Sequence, residues 1–333
     1  MSVSRPANNR LSGPSGLLLW ALCLGAQAAA SEPLPVSNLS PLANLFALPA
    51  QRSAMIEQRW SASLDGTIAN HFVVQGGRNE KLVLDGQTDG MALTFRYGWS
   101  QSWDVEVRVP WLRHHGGFTD QLISDWHRWF GLPNGDRDRY ANDQLRYHYQ
   151  TSVGSQDLTQ AASGLGDVQL AVSRAIPLAT SHSAALSVGI KVPTGDEDQR
   201  LGSGALDLFA SARMSGQSPG KGALAWHAQI GMMHTGDSDV VLAEQRRHLW
   251  FAGAALEWRW TPRWSAVLQF DAHRGLAKSS LDALGQNAGM LSLAARWRPT
   301  PRWQVDAGFS EDVVVESAPD IVFRVSARYR PAN

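Results

Sequence analysis

From Met55 to Tyr329 the chain alternates apolar and polar residues with a period of two, the repeat of a β-strand whose faces meet different surroundings. Met91, Leu93, Phe95, Tyr97 and Trp99 share one side of a run whose other side holds Ala92, Thr94, Arg96 and Gly98. Trp103, Val105, Val107 and Val109 then oppose Asp104, Glu106 and Arg108. The period continues through Val168–Ile176, Leu186–Val192, Leu206–Met214, Leu224–Met232, Trp250–Trp258, Trp264–Ala272, Leu291–Trp297, Trp303–Phe309 and Ile321–Tyr329. The opposite faces carry Asp207, Arg213, His227, Gln229, Arg259, Gln269, Asp271, Arg298, Asp306, Arg324 and Arg328. Repeated strands of about ten residues, apolar outward and polar inward, are the pattern of a transmembrane β-barrel. Arg174 breaks it by falling on the apolar face, close enough to a strand end to snorkel.

The period changes once, within Val109–Arg137. On a wheel of 100° per residue, Leu122, Ile123, Trp126, Trp129 and Phe130 fall in an arc of about 120°, with Asp120, Gln121, Ser124, Asp125, His127 and Arg128 opposite. Thr119 or Asp120 suits the N-cap, Gly131 the C′ position, and Pro133 forbids continuation. The spacing predicts one short amphipathic helix over 119–131.

Connections alternate in length. Short turns are expected at Ser100–Ser102, Pro177–Ser183, Thr261–Arg263 and Pro299–Arg302. Long polar loops are expected at Trp111–Gly166, Pro193–Gly204, His234–Arg247, Gly275–Gly289 and Glu311–Asp320. In bacterial outer-membrane barrels short turns are periplasmic and long loops extracellular. Trp99, Trp103, Trp258, Trp260, Trp264, Trp297 and Trp303 flank the short turns as an aromatic girdle. The fold class is therefore all-β, an antiparallel transmembrane barrel of about twelve strands with one short amphipathic helix in a long extracellular loop. Leu145–Gln150 also alternates. An even strand count places it in the external excursion 111–166.

Composition adds the address. Arg5 and Arg10 precede the apolar run Leu17–Ala26, followed by small-residue cleavage sites ending at Ala28 or Ala30, so residues 1–30 read as a secretory signal peptide for outer-membrane delivery. Cys23, the single cysteine, lies inside that run, so the mature chain has neither disulfide nor thiol nucleophile. Thirty Lys+Arg balance thirty Asp+Glu; without Arg5 and Arg10 the count is 28 against 30, a net charge of −2. That excludes a nucleic-acid binder. Residues 31–54 are Pro-rich without a period and read as a periplasmic arm or internal plug, with Leu45–Pro49 as apolar anchor; 55–333 form the barrel.

Asp120, Ile123, Trp126-His127 and Phe130-Gly131-Leu132-Pro133, with the blocks Asn38–Leu42 and Leu84–Thr88, resemble the uncharacterised bacterial domain-of-unknown-function 3187 family. The resemblance implies an outer-membrane barrel and assigns no activity. Gly164–Asp167 and Val192–Asp196 resemble strand-edge motifs of barrels linked to aromatic-compound degradation.

The chemistry is read sparingly. Asp120, Ser124 and His127 share a helix stripe, but seven residues separate Asp120 from His127 by about 10 Å, so no catalytic triad is assigned; a rim lipid-modifying enzyme using Ser124 and His127 stays the alternative. His114-His115 in a Gly-bearing loop reads as solvated rather than metal-binding, and Gly164–Asp167 and Pro193–Asp196 as backbone turns. No cofactor or metal is expected. The lid or constriction residues are Asp120, Ile123, Trp126, His127, Phe130 and Arg137. The polar lumen is assigned to Arg96, Asp104, Glu106, Arg108, Asp207, Arg213, Arg259 and Asp271. Mixed signs favour a salt-linked, partly filled interior. The expected function is a passive channel or transporter for small, including hydrophobic, molecules; a structural or adhesive barrel without conductance is the other reading. Membrane lipid, lipopolysaccharide and the barrel assembly machinery are the expected partners.

Overall fold

The computed structural model describes residues 31–131, 137–178, 182–218, 223–314 and 316–331. The signal-peptide reading for 1–30 lies outside them, as do Leu132 and Pro133 of the helix stop.

Twelve strands close into one ring: β1 (Trp60–Gly76), β2 (Lys81–Ser100), β3 (Trp103–His115), β4 (Val168–Ile176), β5 (Ser183–Val192), β6 (Asp207–Gln217), β7 (Leu224–His234), β8 (His248–Arg259), β9 (Trp264–His273), β10 (Ala288–Thr300), β11 (Trp303–Asp312) and β12 (Ile321–Tyr329). Each pairs antiparallel with its neighbours in the chain, and β12 closes on β1 in register from Ala62↔Tyr329 to Asn70↔Ile321. Closure satisfies every ladder and removes both edges, which a β-sheet in lipid requires. The period of two becomes two surfaces. Leu93 is 52% exposed and Ile230 64%, whereas inward Asp104 is 1% exposed and Arg296 0%. This is the transmembrane barrel architecture.

Aromatic rings band the short-turn end. Trp99 stacks on Trp103 at 6.0 Å, Trp264 on Trp297 at 6.0 Å, and Trp303 meets Tyr329 at 5.0 Å. Arg174 lies in that band, its guanidinium carbon 5.3 Å from the Trp103 ring centre, so the charge on the apolar face sits on an aromatic face at the strand end.

The wall is uneven at the long-loop end. β2 is a 20-residue strand, starting ten residues before the alternation of Met91–Trp99 becomes visible. Residues 82–88 are buried on both faces, so polar and apolar residues there have no reason to alternate. The extra length pairs with Arg146–Thr151, which forms a ribbon with Gly154–Leu158. The strand foreseen at Leu145–Gln150 thus exists but stands outside the closed ring. Ala162–Leu165 pairs with the top of β3 as the upward continuation of β4.

Between these pieces lies α1 (Asp120–Phe130), with Gly131 at φ +68° on its C-terminal side, where glycine tolerates the left-handed conformation.

Candidate functional site

Residues 31–54 run inside the barrel, and residues 55–59 leave it at the short-turn end. Pro33, Pro35 and Pro49 keep the limbs extended, Pro41 lies in the apical turn, and all four remove N–H groups that would otherwise need partners there. It enters near the short-turn end, where Ser31 Oγ donates to Glu257 Oε2 at 2.6 Å. It climbs the wall: Leu34 N donates to Gln269 Oε1 at 2.7 Å, and Asn38 Nδ2 donates to Ser317 O at 2.8 Å. Asn38 Oδ1 also accepts from Ser40 N at 3.0 Å, starting the apical turn. The segment then descends. Gln51 Nε2 donates to Asp271 Oδ1 at 2.7 Å, Ala54 N to Ser215 Oγ at 2.9 Å, and Glu57 N to Asp104 Oδ2 at 2.9 Å. Gly98 admits this exit, since a Cβ there would stand 1.6 Å from Glu57 O.

The apex and the two limbs are held differently. Leu42, Ala43, Leu45 and Phe46 pack in one apolar cluster with Tyr147, Tyr149, Val240, Val241, Leu276 and Leu284, which closes the long-loop mouth. The limbs are seated by charge. Glu32 receives Arg96 at 3.0 Å, Arg328 at 3.2 Å and Arg330 at 2.8 Å. Arg52 reaches Glu106 at 3.0 Å and Asp104 at 3.4 Å. Below them Arg296, wholly buried, bridges Glu257 at 2.6 Å and Asp306 at 2.7 Å. Removing one partner of such a pair strands a buried charge, so the pairs fix where the segment sits.

The eight assigned lumen residues all face inward. Arg96, Asp104 and Glu106 join the seat just described. Arg108 stands 3.4 Å from Asp65, and Arg259 3.5 Å from Glu257. Asp271 holds Gln51. Asp207 belongs elsewhere: with Asp167 it brackets Lys191, 3.0 Å away and fully buried, near the long-loop end. Asp167 Oδ1 accepts from Gly195 N at 3.0 Å and its Oδ2 from Ser203 N at 3.0 Å. The Gly164–Asp167 and Pro193–Asp196 motifs are thus one polar unit rather than two independent turns. Arg213 is 2% exposed, and its guanidinium nitrogens have no hydrogen-bond partner among the described residues.

Sequence reasoning missed Glu32, Arg52, Glu257 and Arg296. The first two sit in a segment without a period, and nothing local says that it turns inward. Glu257 and Arg296 were legible from parity, since they share faces with Arg259 and Arg298.

The lid residues divide. Asp120 is buried, accepting from Asn70 Nδ2 at 2.7 Å, Asp143 N at 2.7 Å and Arg137 Nη1 at 3.0 Å. Arg137 also reaches Asp320 and covers Phe72 at 5.0 Å. Asn70 and Phe72 share the outward parity of Leu64, so these contacts tie the start of α1 to the outer side of the wall. Ile123 is 1% exposed, whereas Leu122 and Trp129 of the expected apolar stripe are exposed. The side chains of Trp126, His127 and Phe130 lie outside the described residues. Among the described residues both oxygens of Asp120 are taken by Asn70, Arg137 and the Asp143 N–H. His114 and His115 are corrected as well: they end β3 instead of lying in a loop, and His114 is 0% exposed, bonded to Thr88 Oγ1 at 2.8 Å and Arg200 O at 3.1 Å. Among the described residues no three potential ligands gather for a metal.

Asp85, on the part of β2 that rises above the apolar belt, is 4% exposed. Burial pushes its carboxyl up to about 6, and the neighbouring Asp120 adds to the shift, while Arg137 and Arg146 oppose it.

Among the described residues, at least three cavities flank the inner segment. The first two share Ala50, Arg108 and Gln169, and the second and third share Pro49, Gln51 and Gln229, so they adjoin along the descending limb.

A family model described as protein of unknown function, DUF3187, matches residues 17–330. The chain belongs to the DUF3187 family. No curated protein sequence matches it. Among solved structures, the DUF3187 chain is similar to the NanC porin, with 8% identity over 81% of this chain and 100% of that one, and a TM-score of 0.45. It is also similar to the Ralstonia pickettii toluene transporter TbuX, with 9% identity, 92% and 97% coverage and a TM-score of 0.41. The CymD monoaromatic hydrocarbon channel gives 10% identity, 92% and 97% coverage and a TM-score of 0.39. At these values no substrate passes from them to the DUF3187 chain, whose barrel rests on its own closed pairing.

Proposed function

We propose that this protein is a gated outer-membrane channel for small solutes, with residues 31–57 as the gate. One observation carries the reading: the segment filling the lumen is seated along its limbs by polar and ionic contacts and flanked by adjoining cavities. Water entering with the displacement can replace polar contacts at a net cost of about 0.5–1.5 kcal/mol for a neutral one and about 1.5–3 kcal/mol for one to a charged group, whereas an apolar core has no such substitute. Displacing the limbs would join the cavities along the lumen, and lifting the apex from its apolar cluster would open the long-loop mouth. In this reading the short-turn end with its girdle is periplasmic, the long loops are extracellular, residues 1–30 are the secretion signal, and membrane lipid meets the apolar belt.

The test uses Ser53 and Ser215, whose hydroxyl oxygens are 3.5 Å apart, one on the descending limb and one on the wall. The pair Ser53→Cys with Ser215→Cys is expected to form a disulfide that pins the segment. Bilayer conductance should fall on oxidation and return with a reductant. Conductance indifferent to oxidation would remove the segment from the gate. Flat recordings from folded, heat-modifiable protein in every state would favour the structural barrel.

A further inference from the structure

We propose that the cavity between the descending limb and the wall of β1–β3 is a binding site for a small organic acid with an apolar body. The inference deepens the channel reading by naming a solute class, and it requires only that the acid reach the lumen.

Arg324 supplies the head-group site. It is inward on β12, 5% exposed, and lines the cavity. Its Nη1 donates to Pro35 O at 2.7 Å, which fixes the guanidinium plane. Its Nε and Nη2 have no hydrogen-bond partner among the described residues. Those two nitrogens form one edge of the guanidinium, a pair of parallel N–H groups whose spacing matches the two oxygens of a carboxylate. Asn44 Nδ2, at the apex and also lining the cavity, is a second buried donor without a partner.

The unpaired guanidinium edge, rather than a net charge, points to an anion. Arg108 and Arg324 line the cavity with Asp65, and Asp271 and Asp306 lie within electrostatic reach of Arg324. Asp167 also lines it, but both its oxygens are engaged by Lys191, Gly195 N and Ser203. An entering carboxylate would accept from the open edge of Arg324. Ser37, Thr67 and Gln169 add polar atoms to the lining, and Leu39, Leu48, Pro110, Leu112 and Leu201 offer a hydrocarbon or aromatic body its surface. Inorganic phosphate would satisfy the fork and leave that surface unused; an uncharged alcohol would do the reverse. The site is built for a molecule with both parts.

Calorimetric titration of the folded full-length protein in detergent, with benzoate as probe and benzyl alcohol and inorganic phosphate as comparisons, tests this. Benzoate is expected to bind at one site, at least tenfold more tightly than either comparison. Arg324→Gln should weaken benzoate at least tenfold, and Arg324→Lys, which keeps the charge and loses the fork, should fall between. Ala50→Phe fills the cavity from the limb without touching a charge, and it should abolish binding while the unboiled protein keeps its faster gel mobility. Equal affinity for benzoate and benzyl alcohol, or unchanged affinity in Arg324→Gln, overturns the proposal. So does absence of binding by protein that conducts ions in bilayers, an outcome that leaves the channel reading standing. Binding by protein that does not conduct supports the site and removes the channel.

Discussion

Glu32 and Arg96 meet at 3.0 Å inside the barrel, one on the inner segment and one on the wall, and the other oxygen of the same carboxylate accepts from Ser53 N at 3.1 Å on the descending limb. A single side chain thus ties both limbs together and to the wall. Glu32→Gln leaves Arg328 and Arg330 short of a counter-charge and is expected to loosen the seat by about 3–5 kcal/mol. Single-channel recording should show longer or more frequent openings with the barrel still heat-modifiable. Unaltered gating would mean that the limbs are held elsewhere.

Lys191 stands between two buried carboxylates, so its loss should be severe. Lys191→Met leaves Asp167 and Asp207 facing each other in a dry site, and urea unfolding in lipid vesicles should show a loss of about 3–5 kcal/mol. Adding Asp207→Asn to that variant should recover part of the loss. If the single variant unfolds like the parent, the unit at the long-loop end is solvated and the burial argument fails.

Arg137 pins the start of α1 to the outer face of β1. Arg137→Ala should expose the 116–145 excursion to protease while the strands stay protected, since no ring strand depends on it. Conductance is the second readout. A change in it would put α1 in the gate after all.

Asp85 gives the same region a pH dependence. Its folded-state value of about 6 lies above the ordinary carboxylate value, so the protonated form is favoured by folding. The stabilisation is complete below about pH 4 and is lost as the pH rises through 6. Asp85→Asn should therefore stabilise the protein above pH 7 by about 1–2 kcal/mol and have little effect at pH 4. Melting temperatures at the two pH values decide it; an equal shift at both would mean that the effect is packing and not charge.

The sequence alone determined the barrel, the number of its strands, the inward set from Arg96 to Asp271 and the girdle, because a wall one residue thick between lipid and a polar interior writes its two faces into alternate positions. That code stops where the surroundings stop alternating. Residues 82–88 are covered on both sides, so the upper half of β2 was invisible. Ser31–Arg59 has no period, and its inward course depends on partners such as Gln269, Asp271 and Ser215 that are more than 150 residues away in the chain. The helix was legible from its 3.6-residue period, but the side of the wall it lies on was decided by Asn70 and Arg137. Local pattern fixes which face of an element is apolar; only tertiary contacts fix what that face meets.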